Sequence, residues 1–315
     1  MRWVPHEEVI KHLKMPDVCA WVETAFKARA ADQAQMPPKM YINFPQFKGD
    51  MRFMPAYIPA MEALGIKIVN VHLDNPQKGL PTVQATIVLA DPATGACYAV
   101  MDGTAITAYR TGAVGGLAVK ALARANAHRM ALVGAGAQAA TQLEASCLYR
   151  DIHEVYVWSL TQAESLDWID AHSIQFSGIH FKVCDSVEQA VKQADIVTTI
   201  TPSRTPLVYK DWIRPGTHIN AIGADAPGKQ ELETQILLAG RVFIDDWEQA
   251  AHGGEINVAV STKKFTEQQV AGELGQVLSG NTPGRLSDDE ITIFDSTGLA
   301  LQDISVAKGI FQKLC

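Results

Sequence analysis

The chain has 315 residues, 47% hydrophobic and 19% charged, with 34 acidic against 27 basic side chains and a formal net charge of −7. This is a globular composition, long enough to bury a core without disulfides or a structural metal, and at roughly 100–200 residues per domain the length suggests two domains. The acidic balance, with no long run of Lys or Arg, argues against nucleic acid and anionic membrane as partners, since both are bound by clustered cations that neutralise phosphates.

The opening residues, Met1 to Glu8, lack the apolar stretch of a signal peptide, and nowhere do about 20 apolar residues run together. A cytoplasmic location is the expectation. The cysteines, Cys19, Cys97, Cys147, Cys184 and Cys315, are odd in number and widely spaced, with no C-x-x-C and no His pair to suggest zinc. They are expected to be reduced and mostly buried.

In chain order, residues 6–13 and 18–31 are amphipathic pieces. A section punctuated by Pro37, Pro38, Pro55 and Pro81 follows, and its prolines are read as turns or edge strands. Strands are expected over 66–72 and 86–90, with a hairpin through 91–95 into 96–101. The first 117 residues therefore describe an α+β domain rich in antiparallel strands.

Basic side chains stand here in apolar or Pro-rich surroundings: Lys39, Arg52, Lys67 and Arg110. In Ile66-Lys67-Ile68-Val69 the lysine either snorkels to solvent or points into a polar pocket, and alternation alone favours the solvated face. Arg110 opens a helix-compatible stretch rich in small residues, where its planar fork could hold a carboxylate or form a salt bridge between domains.

The clearest local signal comes next. Arg129-Met130-Ala131-Leu132-Val133 is a short apolar run, followed at once by Gly134-Ala135-Gly136-Ala137-Gln138-Ala139 and a helix-compatible stretch over 140–149. The spacing matches G-x-G-x-x-A, in which the first Gly permits a tight turn, the second lets the backbone approach a pyrophosphate, and Ala139 stands at the helix–strand contact. Small residues also occur where a helix merely packs closely on a strand.

Further strands are expected at 155–158, 181–184, 196–200, 218–222 and 242–244, with helix-compatible segments such as 186–194 between them. That alternation is βαβ and implies a doubly wound parallel sheet of the Rossmann type over residues 118–298.

The fingerprint calls for an acid at the end of the second strand to bind the ribose hydroxyls, and Ser159 stands there instead. No Arg in Trp158-Ser159-Leu160-Thr161 offers a partner for a 2′-phosphate, so NAD and NADP both stay open. Gly223 and Asp225 follow the fifth strand at its carboxyl end, where ligands of such sheets bind. Asp225 is placed for proton chemistry or for orienting an amine, or else caps its loop. His252-Gly253-Gly254-Glu255 is read as structural or interfacial. No H-E-x-x-H and no G-x-S-x-G is present.

Ordered blocks along nearly the whole chain carry a resemblance. They include Arg52-Phe53-Met54-Pro55-Ala56-Tyr57, Lys78-Gly79-Leu80-Pro81-Thr82, Arg110-Thr111-Gly112-Ala113, the glycine loop, His218 to Asp225, and Ile293 to Asp303. With these blocks the chain resembles the ornithine cyclodeaminase and mu-crystallin family, and within it the archaeal type of alanine dehydrogenase.

The resemblance implies a homodimer acting on a small amino acid or oxo acid. The substrate-binding and dimerisation domain would be residues 1–117 completed by 299–315, with NAD or NADP on residues 118–298. Members of the family deaminate alanine oxidatively, cyclise ornithine to proline, or reduce cyclic ketimines, and one relative is a ligand-binding lens protein.

By the same resemblance, Lys67 is the lysine beside the reacting carbon and Asp225 the acid that handles the substrate nitrogen. Arg110 holds the α-carboxylate, Arg52 matches an arginine of the alanine dehydrogenase pattern, and Lys39 matches a basic carboxylate-binding position. Where Arg52 stands a cyclodeaminase is expected to carry a glutamate for ornithine's distal amine, which an arginine would repel. Gly134, Gly136, Gln138 and Ala139 form the pyrophosphate loop, and Thr111, Thr201 and Ser296 line the cofactor. No metal is implied.

Overall fold

The computed structural model describes residues 1–314. The chain divides into two compact units, one made of Met1–Thr111 with the segment from Leu299, the other of Gly112–Gly298. The units part inside a continuous helix, Thr104–Leu122, which also runs through position 117.

In the first unit six strands form one sheet: β1 (Arg2–Val4), β2 (Met40–Phe44), β3 (Gly49–Ile58), β4 (Ala63–His72), β5 (Val83–Ala90) and β6 (Cys97–Asp102). Their order is β1-β6-β5-β4-β3-β2, antiparallel except where β1 joins β6. The long central strands bury every second residue: Arg52, Met54, Ala56 and Ile58 on β3, Ala85, Ile87 and Leu89 on β5. That alternation follows from the period-2 geometry of a strand. Helix Ala300–Lys313 packs on β3, β4 and β5 and against helix Met15–Ala30.

Pro55 lies inside β3, a central strand, where a turn or an edge was expected. The sheet tolerates it because β2 pairs only with residues up to Phe53, and the next contact on that side is the Gln35–Tyr57 bridge. The missing N–H falls in the gap between them.

The second unit is an eight-stranded parallel sheet: β7 (Arg129–Val133), β8 (Glu154–Trp158), β9 (His180–Val183), β10 (Ile196–Thr199), β11 (His218–Ala221), β12 (Arg241–Ile244), β13 (Val270–Glu273) and β14 (Thr292–Asp295). The order is β13-β12-β14-β11-β10-β7-β8-β9. Strands β10, β11 and β14 are buried throughout, the mark of a parallel sheet covered on both faces. From β7 the chain winds outward through β8 and β9, then returns to start β10 on the other side of β7. The winding therefore reverses between β7 and β10, which opens a crevice at the carboxyl ends of those two strands.

Part of helix Thr104–Leu122 belongs to this unit and lies close against helix Ala139–Cys147. A Cβ on Gly112 would stand 2.5 Å from the Thr141 carbonyl oxygen, and one on Gly116 would stand 2.6 Å from Ala145 Cβ. The small-residue stretch around Arg110 thus serves helix packing.

The four described cysteines are free, Cys19 and Cys184 buried but Cys97 and Cys147 exposed, so the thiols are not mostly buried; Cys315 lies outside the described residues. No described helix is long and apolar enough to cross a membrane.

Candidate active site

Lys67 is turned inward on β4 and is 1% exposed, not on the solvated face that alternation favoured. Its cross-strand neighbours, Met54 on β3 and Ile87 on β5, are apolar. What holds the ammonium inside is Asp303 from helix Ala300–Lys313, whose Oδ2 is 2.7 Å from Lys67 Nζ. The other carboxylate oxygen accepts from Arg110 Nε at 3.0 Å, and Arg110 Nη1 donates to Gln302 Oε1 at 2.8 Å. Asp303 and Gln302 are fully buried.

Burial brings the Lys67 pKa down to about 7; Asp303 opposes the shift, while the positive charges of Arg110 and Lys39 add to it. A lysine titrating there can both give and take a proton near neutral pH. Arg52 shares the buried face and pairs with Asp50, Nε to Oδ1 at 2.7 Å, with its guanidinium 5.5 Å from the centre of the Tyr41 ring. The first unit thus brings Lys67, Arg110 and Asp303 into one buried group, with Lys39 within electrostatic reach. Asp303 was missed as a site residue in the sequence. Its signal was the polar pair Gln302-Asp303 in the otherwise apolar run Leu299 to Ile304.

In the second unit the expected cofactor residues all follow carboxyl ends of parallel strands: Gly134 after β7, Ser159 after β8, Thr201 after β10, Gly223 and Asp225 after β11, Ser296 after β14. Because the strands are parallel, these residues share one edge of the sheet. Thr111 precedes this unit, and its hydroxyl donates to the Thr107 carbonyl at 2.7 Å.

A dinucleotide fits this edge on four observations. Gly134 has φ +114°, which excludes a side chain, and its amide donates to Trp158 O at 2.8 Å, tying the loop to β8. Gly136 is exposed, and a Cβ there would meet nothing within 4 Å, so space for a ligand lies over it. The backbone amides of residues 135–138 donate to no carbonyl among the described residues, at the start of helix Ala139–Cys147. Such amides suit a pyrophosphate. The Gln138 Oε1 and Ser296 Oγ atoms are buried and have no hydrogen-bond partner among the described residues.

The loops after β10 and β11 are fixed by a buried acid. Glu231 Oε1 accepts from the Thr201 amide at 2.6 Å and its hydroxyl at 2.7 Å, while Oε2 accepts from the Gly223 amide at 2.9 Å. Glu255 in turn accepts from the amides of Glu231 and Leu232. This gives His252-Gly253-Gly254-Glu255 a structural role. Asp225 pairs with Lys229 at 2.5 Å. Ser159 Oγ donates to Glu164 Oε2 at 2.6 Å, so a carboxylate does stand at the end of β8, supplied from the first turn of helix Gln162–His172.

A Rossmann-type sheet with a glycine loop, joined in one chain to an antiparallel sheet that buries a lysine, defines the class. The chain belongs to the ornithine cyclodeaminase/mu-crystallin family, whose model matches residues 4–315. Among curated proteins it is 47% identical over 306 residues to an alanine dehydrogenase of Archaeoglobus fulgidus, a match covering 97% of this chain and 92% of that one. Among solved structures it is similar to an archaeal alanine dehydrogenase dimer with bound NAD, at 46% identity and a TM-score of 0.94, covering 98% of this chain and 94% of the other. It is also similar to a Thermococcus litoralis Δ1-pyrroline-2-carboxylate reductase in complex with NADH and L-proline, at 34% identity and a TM-score of 0.96, covering 99% and 97%.

Proposed function

We propose that this protein is an NAD-dependent amino acid dehydrogenase that interconverts L-alanine and water with pyruvate and ammonia. The observation that carries this reading is the charge of the buried group. Lys67 and Arg110 share one fully buried carboxylate, Asp303, while Arg52 on the same face pairs with Asp50. An excess of buried cation suits a substrate carboxylate and disfavours a side chain ending in an ammonium. The near-full-length likeness to alanine dehydrogenases supports the same choice.

The dinucleotide, when bound, supplies the hydride acceptor. Arg110 and Arg52 hold the carboxylate: a guanidinium has five N–H groups, and the two bonds from Arg110 to Asp303 and Gln302 leave others for a ligand. Lys67 Nζ gives and takes the proton at the oxygen that adds to the α-carbon, and Asp225 handles the proton at the departing nitrogen. NAD is the preferred carrier, because Glu164 beside Ser159 can accept from a ribose hydroxyl and would repel a 2′-phosphate. Self-association as a homodimer is supported by the exposed apolar side chains Met40, Ile42 and Phe47 on and beside the edge strand β2.

A second reading, reduction of a cyclic imine carboxylate, is supported by the likeness to the pyrroline-carboxylate reductase. It uses the same carboxylate grip. Reduced-nicotinamide absorbance, followed with pyruvate plus ammonium and separately with Δ1-pyrroline-2-carboxylate, tests both. Signal loss that requires pyruvate and ammonium together is the expected result. Loss with the cyclic imine alone would replace the first reading by the second.

A further inference from the structure

We propose that Asp303 is a positioning residue for this reaction: its buried carboxylate, one oxygen on Lys67 and the other on Arg110, sets the placement of both cations and keeps the Lys67 ammonium available. The inference rests on the proposed function and deepens it. Two cations on neighbouring elements repel each other, and without an anion between them the long, flexible side chains would turn apart. Asp303 meets Lys67 Nζ at 2.7 Å and Arg110 Nε at 3.0 Å, so a single rigid group fixes the spacing of proton donor and carboxylate grip.

Gln302, the preceding residue, holds Arg110 Nη1 at 2.8 Å, so the guanidinium is gripped from two adjacent positions of one helix. Gln302 Nε2 is buried and has no hydrogen-bond partner among the described residues, which leaves a donor beside the cations. Asp303 lies in the first turn of helix Ala300–Lys313, where the helix dipole favours a carboxylate. Its side chain is fully buried, and helix Ala300–Lys313 is anchored on β3, β4 and β5.

The electrostatic consequence has a definite sign. Lys67 faces Asp303 from the C-terminal helix, Arg110 from helix Thr104–Leu122 and Lys39 from the segment before β2; Met54 and Ile87 opposite it are apolar, and Arg52 on the same face of β3 is paired with Asp50. Asp303 is the one group among these that raises the Lys67 pKa; burial, Arg110 and Lys39 all lower it. Removing the negative charge therefore moves the ionisation of Lys67 to lower pH.

The test is Asp303→Asn, which keeps the shape and removes the charge, beside Asp303→Glu, which keeps the charge and moves it by about one methylene. The assay uses whichever carbonyl or imine substrate the wild type turns over, so an error in the substrate leaves the proposal testable. For Asp303→Asn the expected result is a fall of about 100-fold in kcat/KM at neutral pH, within the range typical of proton-transfer groups. The limb of the pH profile assigned to Lys67 should move down by about one unit or more, while the Kd for NADH, read by fluorescence without substrate, stays unchanged. Asp303→Glu should keep the pH limb and lose about tenfold in kcat. A wild-type pH profile in Asp303→Asn would overturn the proposal. If that variant does not fold, an unchanged kcat in Asp303→Glu overturns it instead.

Discussion

An exposed carboxylate that bonds a neighbouring hydroxyl contributes little to stability, so the Ser159–Glu164 contact is better understood by what it presents to a ligand. Glu164 offers acceptor oxygens at the end of β8, in the place where dinucleotide-binding sheets usually carry their own acid. A 2′-phosphate would bring about two negative charges to that carboxylate. The wild type is therefore expected to bind NADH at least about tenfold more tightly than NADPH, a difference of about 1.4 kcal/mol. Glu164→Lys is expected to narrow or invert the ratio, with fluorescence titration of each reduced dinucleotide as the measurement. Equal affinities in the wild type would remove Glu164 from cofactor selection. The sequence contained this acid but did not disclose it, because the fingerprint points to the strand end itself and the carboxylate arrives from five positions further on. Lys67 was visible for the same kind of reason that its orientation was not. A cation in a β-branched run draws attention, yet only a counter-charge from a distant helix decides which way it turns.

Two glycines separate packing from binding at the scale of elements. A Cβ on Gly112 would stand 2.5 Å from the Thr141 carbonyl oxygen, a backbone atom of the neighbouring helix, whereas a Cβ on Gly136 would meet nothing. Gly112→Ala is therefore expected to lower stability by about 1–3 kcal/mol, as overpacking does, in urea or guanidinium unfolding. Gly136→Ala should leave the unfolding curve in place and weaken NADH binding, since its methyl group occupies the space over the loop. A Gly136→Ala protein that binds NADH normally would show that no ligand backs onto that glycine. The elements themselves were largely legible: the runs at β7, β8, β10, β11 and β12 are short, apolar and bounded by turns, as buried parallel strands must be. Strand β13 was not, because Val270-Ala271-Gly272-Glu273 carries too little apolar character to stand out, and it lies at the sheet edge. Strand β14, though quoted within a recognised block, is inserted between β11 and β12, and no sequence pattern gives that lateral order.

Across the whole molecule, buried acids make stability depend on pH in a way composition cannot show, because the groups come from separate loops. Asp295, Glu231 and Glu255 are fully buried, with Asp245 close by. Burial pushes the Asp295 carboxyl up to about 8, with the nearby Asp245 charge adding to the rise, and burial raises Glu231 and Glu255 as well. A carboxyl raised in the folded state keeps a proton that the unfolded chain gives up, so the folded form binds more protons between its unfolded value near 4 and about 8. Stability therefore falls as pH rises through that window. Lys67 acts with the opposite sign: its lowered value leaves the unfolded chain with more protons between about 7 and 10.5, so its burial becomes less costly as pH rises there. Below pH 7 the three raised acids outnumber the buried His218, whose burial lowers it to about 3 and which acts with the opposite sign up to its unfolded value near 6.5, so the acids set the sign of the slope. Asp295→Asn removes one of them while keeping an acceptor for the Ile256 amide, which Asp295 Oδ2 holds at 3.1 Å. In calorimetric scans from pH 5 to pH 8, the wild-type Tm is expected to decline, and the decline should be shallower in Asp295→Asn. One titrating group supplies at most about 1.4 kcal/mol per pH unit, which for domains of this size is a few degrees in Tm. Equal slopes in the two proteins would mean that Asp295 is already ionised in the folded state, held by the Glu255 and Ile256 amides.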